Sequence, residues 1–276
     1  MMDKAAARCK KESLLNGLRK LNSLMVAFSG GVDSAFLLAA AREALGKKAA
    51  AATAVSPIHP RREREEAVGF ARDRGIAHFL FGTNEMEIPE FIANDIDRCY
   101  HCKRALCGKL LRLARDKGMG PVAHGANVDD LEDYRPGFRA AKEAGIMAPL
   151  IDADLSKEEI RFLAKEMGLF EWDKPSMACL ASRFPYGCPI SEQGLGMVEA
   201  AEAFLWAEGF KCIRVRHHGP VARVEVDASE IHKIVSRDTR KAIVERFQRI
   251  GFDHVALDLE GYVSGKMNRG IEELRT

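Results

Sequence analysis

Cys99 and Cys102 stand two residues apart in "RCYHCK" (98–103), in a chain of 276 residues with seven cysteines. Two thiolates at that spacing can grip a metal, close a redox disulfide, or do no chemistry at all. Lys103 and a helix start expected beside Cys102 would lower that thiol's pKa, which suits the first two readings equally. A closed zinc site wants four ligands. The sequence has no second CxxC to supply them, although His101 or Cys188 could complete a set, and no thioredoxin-like context follows.

A second stretch, "FSGGVDSA" (28–35), puts Ser29, Gly30, Gly31, Asp33 and Ser34 together. Small residues ahead of a helix let backbone N–H groups approach an anion, and the positive helix end favours it. The pattern is neither a Walker A loop nor a GxGxxG fingerprint. An ordinary strand-to-helix turn would account for one glycine but not for the full Ser-Gly-Gly-x-Asp-Ser set. Asp33 would repel phosphates unless a cation such as Mg²⁺ stood between them, so it points to a metal–nucleotide complex.

These residues need elements to position them. "SLMVAF" (23–28) reads as a buried strand, and the alanine-rich stretch from Asp33 to Gly46 as a helix. "AAAATAV" (49–55) and "AHFLF" (77–81) read as further strands, with a helix opening at Pro60 between them. A helix over 103–118, a fourth strand in "PVAHGANVDD", and helices over "RPGFRAAKEAG" and "SKEEIRFLAKEMG" continue the alternation. That rhythm predicts an α/β fold with a parallel sheet and ligands beyond the strand C-termini. From about residue 190 it changes to a helix (191–208), a hairpin of "FKCIRVRHHG" and "PVARVEVD", a helix (228–249) and a strand "HVALDL". The expected division is a parallel-sheet domain over 1–185 and a smaller α+β domain over 186–276.

Composition narrows the function classes. Apolar content of 47% with 30% charged residues is ordinary for a globular protein, and no apolar run approaches membrane-spanning length. The basic, polar first 24 residues do not read as a leader, so a cytoplasmic location with reduced thiols and no membrane partner is expected. A net charge of +2 gives no electrostatic reason to expect nucleic acid.

"SGGVDS" resembles the PP-loop of the ATP pyrophosphatase superfamily, whose members cleave ATP to AMP and pyrophosphate. "HGANVDD", "DYRPGFRAAKEAG", "DKPSMACLASRFPYG" and "DLEGYVSGKMN" extend the resemblance to nearly the whole chain. Together they are similar to the LarE family of ATP-dependent sulfur transferases, which thiolate a pyridinium-dicarboxylate mononucleotide to make a nickel-pincer cofactor. The resemblance implies ATP and Mg²⁺ at Ser29, Gly30, Gly31, Asp33 and Ser34. It implies nucleotide contacts from "AVS" (54–56) and from the "HGANVDD" loop, where Asp129 and Asp130 either serve the metal or adenylate or simply form a turn.

The same resemblance makes Cys179, in a loop at the domain junction, the essential cysteine. In one branch of the family this residue gives up its own sulfur. In the other, three cysteines bind a cluster that carries exogenous sulfide, and Cys99, Cys102 and Cys179 would suit a [4Fe-4S] cluster with one iron open. A mononucleotide dicarboxylate wants cations, and Ser182, Arg183, Arg214, Arg216 and His218 are the candidates. Arg214 and Arg216 alternate with Ile213 and Val215, so they share a face that is either solvated or anion-binding. Glu199 with Glu202, and Glu225 with Asp227, could hold a metal or be plain exposed carboxylates. Cys107 falls on a helix, and Cys9 and Cys212 read as small buried hydrophobes. A homo-oligomer and a sulfide or other sulfur donor are the implied partners. A tRNA-thiolating enzyme and a non-catalytic ATP-binding protein are the competing readings.

Overall fold

The computed structural model describes residues 2–131, 136–173, 178–263, 265, 266 and 269. The chain forms two compact units, Met1–Asn84 with Cys99–Met177, and Glu85–Arg98 with Ala178–Thr276. Residues 178–185 therefore group with the second unit, as does the inserted segment 85–98, whereas the sequence alone places the boundary after residue 185.

The first unit opens with α1 (Lys4–Arg19), β1 (Leu24–Ala27), α2 (Val32–Leu45), β2 (Ala49–Val55), α3 (Arg61–Asp73) and β3 (Ala77–Gly82). After the inserted α4 (Pro89–Ile92) come α5 (Arg98–Asp116), β4 (Val122–His124), α6 (Pro136–Glu143), α7 (Pro149–Asp152) and α8 (Lys157–Glu166). The strands lie in the order β3-β2-β1-β4, all parallel, with Leu24 opposite Ala49 and Met25 opposite Val122. This is the expected parallel α/β architecture. Successive connections run outward from β1 through β2 to β3, then return to β4 on its other side, so the turn after β1 lies at a topological switch point.

Alternation along the strands serves two cores. Leu24 and Val26 pack with Leu15 and Leu18 of α1, Phe36 to Leu38 of α2 and Ile160 and Leu163 of α8. Met25 and Ala52 face the other way, against Cys107, Leu110 and Ala114 of α5. Burial on both faces explains why β1 and β2 read as unbroken apolar runs rather than alternating ones. The sequence expectation omits α1 altogether, although its Ala7, Leu14, Leu15 and Leu18 form the buried stripe of an amphipathic helix.

The second unit holds α9 (Glu192–Ala207), β5 (Ile213–His218), β6 (Val221–Val226), α10 (Ile231–Ile234), α11 (Arg237–Ile250) and β7 (His254–Leu257). β5 and β6 form the expected antiparallel hairpin, and β7 adds parallel to β6. Leu205, Phe210, Val215, Phe247 and Phe252 are central to its core. The single helix expected over 228–249 is broken, because Ser236 leaves the helical conformation (ψ 149°) to start α11. Within this unit Asn94 is fully buried at φ 60° and ties the inserted segment down. Its Nδ2 donates to the carbonyls of Pro185 (2.7 Å) and Cys188 (2.8 Å), and its Oδ1 accepts from Arg98.

Candidate active site

β1 ends one residue before Phe28, and the chain turns through Ser29 and Gly30 into Gly31, which precedes the first residue of α2. Gly30 has φ 76°, a conformation that a side chain would strain. Ser34 Oγ donates to Gly31 O at 3.0 Å, so it must accept from the Ser29 hydroxyl 3.1 Å away. The two serines thus close the loop on itself, with Ser34 buried beneath and Ser29 exposed. The five residues singled out in the sequence are together at the switch point.

Asp33, in the first turn of α2, makes an ion pair through Oδ2 with Lys157, the first residue of α8. Its Oδ1 is buried with no hydrogen-bond partner among the described residues. Burial pushes the Asp33 pKa up; Lys157 opposes the shift, and the nearby Asp130 adds to it. Asp130 comes from the loop after β4, which is bound up with itself and with α8. Asn127 N donates to Asp130 Oδ2 (3.0 Å), Asp129 N to Asn127 Oδ1 (3.0 Å), and Lys157 N to Asp129 Oδ2 (2.9 Å). A Cβ at Gly125 would lie 2.7 Å from Ser34 N and 2.9 Å from its Cα. Only glycine lets the "HGANVDD" loop lie against the start of α2. Gly125 and Lys157 were not picked out from the sequence, where the first is one glycine among many and the second is 124 residues from its partner.

Two hollows flank Phe28. One, of about 130 Å³, is lined by Ser29, Thr53, Ala54, His59 and Lys103, among others. The other, of about 230 Å³, is lined by Gly30, Arg62, Phe70, Phe170 and Glu171. Each is smaller than the roughly 300 Å³ at which small-molecule pockets begin, so either would take only part of a nucleotide. A larger groove of about 720 Å³ runs along α1 and shares no residue with the loop. Thr53 donates to Phe28 O (2.7 Å), so His78 Nε2, 2.8 Å from the same hydroxyl, is a donor. Burial lowers the His78 pKa, which keeps its ring neutral. The next strand end holds His124, whose pKa burial brings down to about 4, with Lys103 adding to the shift.

In the second unit the expected anion and metal residues are engaged with one another. Arg183 is wholly buried and meets Glu202 through Nε and Nη2, both at 2.8 Å. Its Nη1 donates to the carbonyls of Ala178 (2.6 Å) and Cys179 (3.1 Å) and to Ser182 Oγ (3.0 Å). Glu202 also accepts from Val215 N at 2.9 Å, so its carboxylate is already satisfied without a metal. Arg216 forms the same kind of fork on Glu225 (3.0 and 2.7 Å) and lays Nη1 on Ser182 O at 3.0 Å. Two buried Arg–Glu forks therefore grip the backbone around Cys179. Arg214 is buried too, 4.8 Å from the Tyr262 ring, and its pKa is lowered by burial and then by Arg183. The arginine face of β5 is thus covered and not solvated. Glu199 remains half-buried on α9, apart from the core position taken by Glu202.

None of the seven cysteines is in a disulfide. Cys99 and Cys102 sit inside the first turns of α5, which begins at Arg98 and not after them as expected; Cys99 is exposed and Cys102 half-buried. Both belong to the first unit, and Cys179, half-buried at the start of the 180–183 turn, belongs to the second. Among the described residues no three His, Cys, Asp or Glu side chains are gathered to hold a metal ion. Cys107 is on the expected helix and is buried; of the two expected as small buried hydrophobes, Cys212 is half-buried and Cys9 is exposed, on the outer side of α1. Cys188 is exposed. No helix among the described residues is long and apolar enough to cross a membrane.

A parallel sheet with a closed Ser-Gly-Gly turn at its switch point is the α/β architecture of PP-loop proteins. No family model matches the chain. It is 35% identical over 266 residues, 96% of this chain and 95% of the relative, to the pyridinium-3,5-bisthiocarboxylic acid mononucleotide synthase of Lactiplantibacillus plantarum. An uncharacterized protein of Synechocystis sp., slr1717, is 44% identical over 260 residues, covering 94% of this chain and 97% of the relative. A third relative, the uncharacterized MJ0830 of Methanocaldococcus jannaschii, is 32% identical over 179 residues, 65% of this chain and 69% of its own length. The chain belongs to the LarE family, that of the Lactiplantibacillus synthase.

Proposed function

We propose that the protein is an ATP-dependent sulfur transferase that converts carboxyl groups of a pyridinium-dicarboxylate mononucleotide to thiocarboxyl groups in nickel-pincer cofactor synthesis. The observation that carries the reading is the near full-length similarity to a synthase named for a bisthiocarboxylic acid mononucleotide, in a chain with the Ser29–Ser34 loop intact. A carboxylate oxygen is a poor leaving group, so sulfur cannot replace it without activation. Attack of that oxygen on the α-phosphorus of ATP would expel pyrophosphate and leave an acyl adenylate, whose AMP can then depart.

Ser29, Gly30, Gly31 and Ser34 would hold the polyphosphate by backbone donors and position, and Asp33 would serve its Mg²⁺. The buried, unpartnered Oδ1 of Asp33 fits that task, since a cation there would satisfy it. Asp130 is close enough to act on Asp33 electrostatically and would join it. Thr53, Ala54 and His59 line the hollow offered to the nucleoside. Arg183 and Arg216 would position the Cys179 loop, through the carbonyls of Ala178, Cys179 and Ser182.

Sulfur would enter by attack on the acyl carbon with loss of AMP. Cys99, Cys102 and Cys179 would hold a [4Fe-4S] cluster, whose chemistry there would be to carry exogenous sulfide. The donor set suits it, three thiols of which none is in a disulfide. If Cys179 instead gives its own sulfur, its Sγ attacks, its Cα proton is lost and the Sγ–Cβ bond breaks to leave dehydroalanine. Iron, sulfide and pyrophosphate are measured on anaerobically purified wild type and on Cys99→Ala, Cys102→Ala and Cys179→Ala. An iron–sulfur chromophore that all three substitutions abolish, with pyrophosphate as product, is expected. A chromophore intact in all three would sink the cluster, and a wild type lighter by one sulfur after turnover would favour the sacrificial route.

A further inference from the structure

Lys157 occupies a place its own helix disfavours. It is the first residue of α8, where unpaired backbone N–H groups make the helix end positive, and the glutamates that suit such an end, Glu158 and Glu159, follow it. The backbone there is fixed without the lysine side chain, by the Ser156–Glu159 capping box and by Asp129 Oδ2 on Lys157 N at 2.9 Å. The side chain itself is 31% exposed and is pinned by its ion pair with Asp33. "SGGVDS" contains no lysine or arginine, so the loop has no side-chain cation of its own for a polyphosphate. Arg161, one turn further along α8, is near enough to act on Asp33 electrostatically but gives Nη1 to Trp172 O at 2.9 Å, whereas Lys157 pairs with Asp33 directly.

We propose that Lys157 is a phosphate-binding cation of this site, an inference that rests on the nucleotide reading above. Without nucleotide, its ammonium neutralises the half-buried Asp33 carboxylate. When a metal–nucleotide complex binds, the metal takes over Asp33, and the released ammonium, on its flexible four-carbon stem, moves to the non-bridging oxygens of the β and γ phosphates. The charge on Asp33 stays compensated throughout, so the half-buried carboxylate is never exposed to the cost of standing alone. AMP lacks those phosphates, so Lys157 would discriminate ATP from AMP.

Calorimetric binding of Mg²⁺–ATP and of AMP is compared in full-length wild type, Lys157→Met, Lys157→Gln and Lys157→Arg, with melting temperatures recorded alongside. Loss of a charge-assisted hydrogen bond corresponds to about tenfold or more in affinity. The expected result is that much weaker Mg²⁺–ATP binding in Lys157→Met and Lys157→Gln, AMP binding within about twofold of wild type, and partial recovery in Lys157→Arg. Using two neutral variants keeps misfolding of one from deciding the matter. Equal Mg²⁺–ATP affinity in wild type and the neutral variants, or equal loss of ATP and AMP binding, would overturn the role of Lys157 alone. A wild type that binds neither nucleotide would overturn the nucleotide reading with it.

Discussion

Arg183 and Glu202 face each other in the core of the second unit through two parallel hydrogen bonds of 2.8 Å, with no solvent exposure at the arginine side chain. Because the remaining Nη1 rests on the carbonyls of Ala178 and Cys179, the pair fixes the backbone that carries the candidate sulfur residue. Removing one partner strands a buried charge, which costs about 3–5 kcal/mol. Glu202→Ala is therefore expected to lower the unfolding free energy by an amount in that range, read as a lower urea midpoint at unchanged slope. A shift below about 1 kcal/mol would show that the loop carbonyls alone satisfy Arg183.

Gly125→Ala tests the contact between the loop after β4 and the start of α2. A new Cβ 2.7 Å from Ser34 N has only backbone to push against, so one of the two segments must move. Overpacking of this kind costs about 1–3 kcal/mol, and the shift falls on the nucleotide loop. Weaker Mg²⁺–ATP binding and a lower melting temperature are the expected outcome, against little change in either for Gly108→Ala, where nothing lies within 4 Å of the new Cβ.

His124 gives a stability signature in acid. Its pKa is near 4 in the fold against 6.5 for an ordinary histidine. Between those values the unfolded chain binds more protons, so stability falls as the pH drops from about 6.5 towards 4. The contribution is on the order of 3 kcal/mol by linkage. Denaturant midpoints followed from pH 7 to 4 should fall less steeply in His124→Asn, and parallel curves would place the acid sensitivity elsewhere.

Asp33 sets a second pH dependence. Its pKa is raised by burial, so the carboxylate needed for a metal is lost at a higher pH than the 3.8 of an ordinary aspartate. Mg²⁺–nucleotide affinity should decline on acidification before exposed carboxylates titrate, and Asp33→Asn should bind weakly at every pH. Calorimetry across pH 4 to 7 reads both.

Much of the first unit was open to sequence reasoning because a fully buried parallel strand is a continuous apolar run bounded by glycine. β2 matches the expected 49–55, and the turn after β1 is where its glycines place it. Periodicity failed where tertiary covering overrides it. "IRVRHH" alternates like a half-exposed strand, yet Arg214 and Arg216 are 4% and 7% exposed, because the 180–183 turn and Tyr262 cover their face. A lysine that meets its carboxylate 124 residues away leaves no local trace, and neither does a glycine required by backbone from another strand. The break before α11 was readable after all, since Ser236 followed by Asp238 is a helix-start signal.

Asn94 has a practical consequence for anyone dissecting the protein. A fragment begun at residue 178 would omit the stretch 85–98 that belongs to the same unit. The carbonyls of Pro185 and Cys188 would lose their amide donor, and the loop following Cys179 and Arg183 its internal brace. The C-terminal half is discontinuous in sequence, so its independent production calls for splicing the earlier stretch back in, not for a simple truncation.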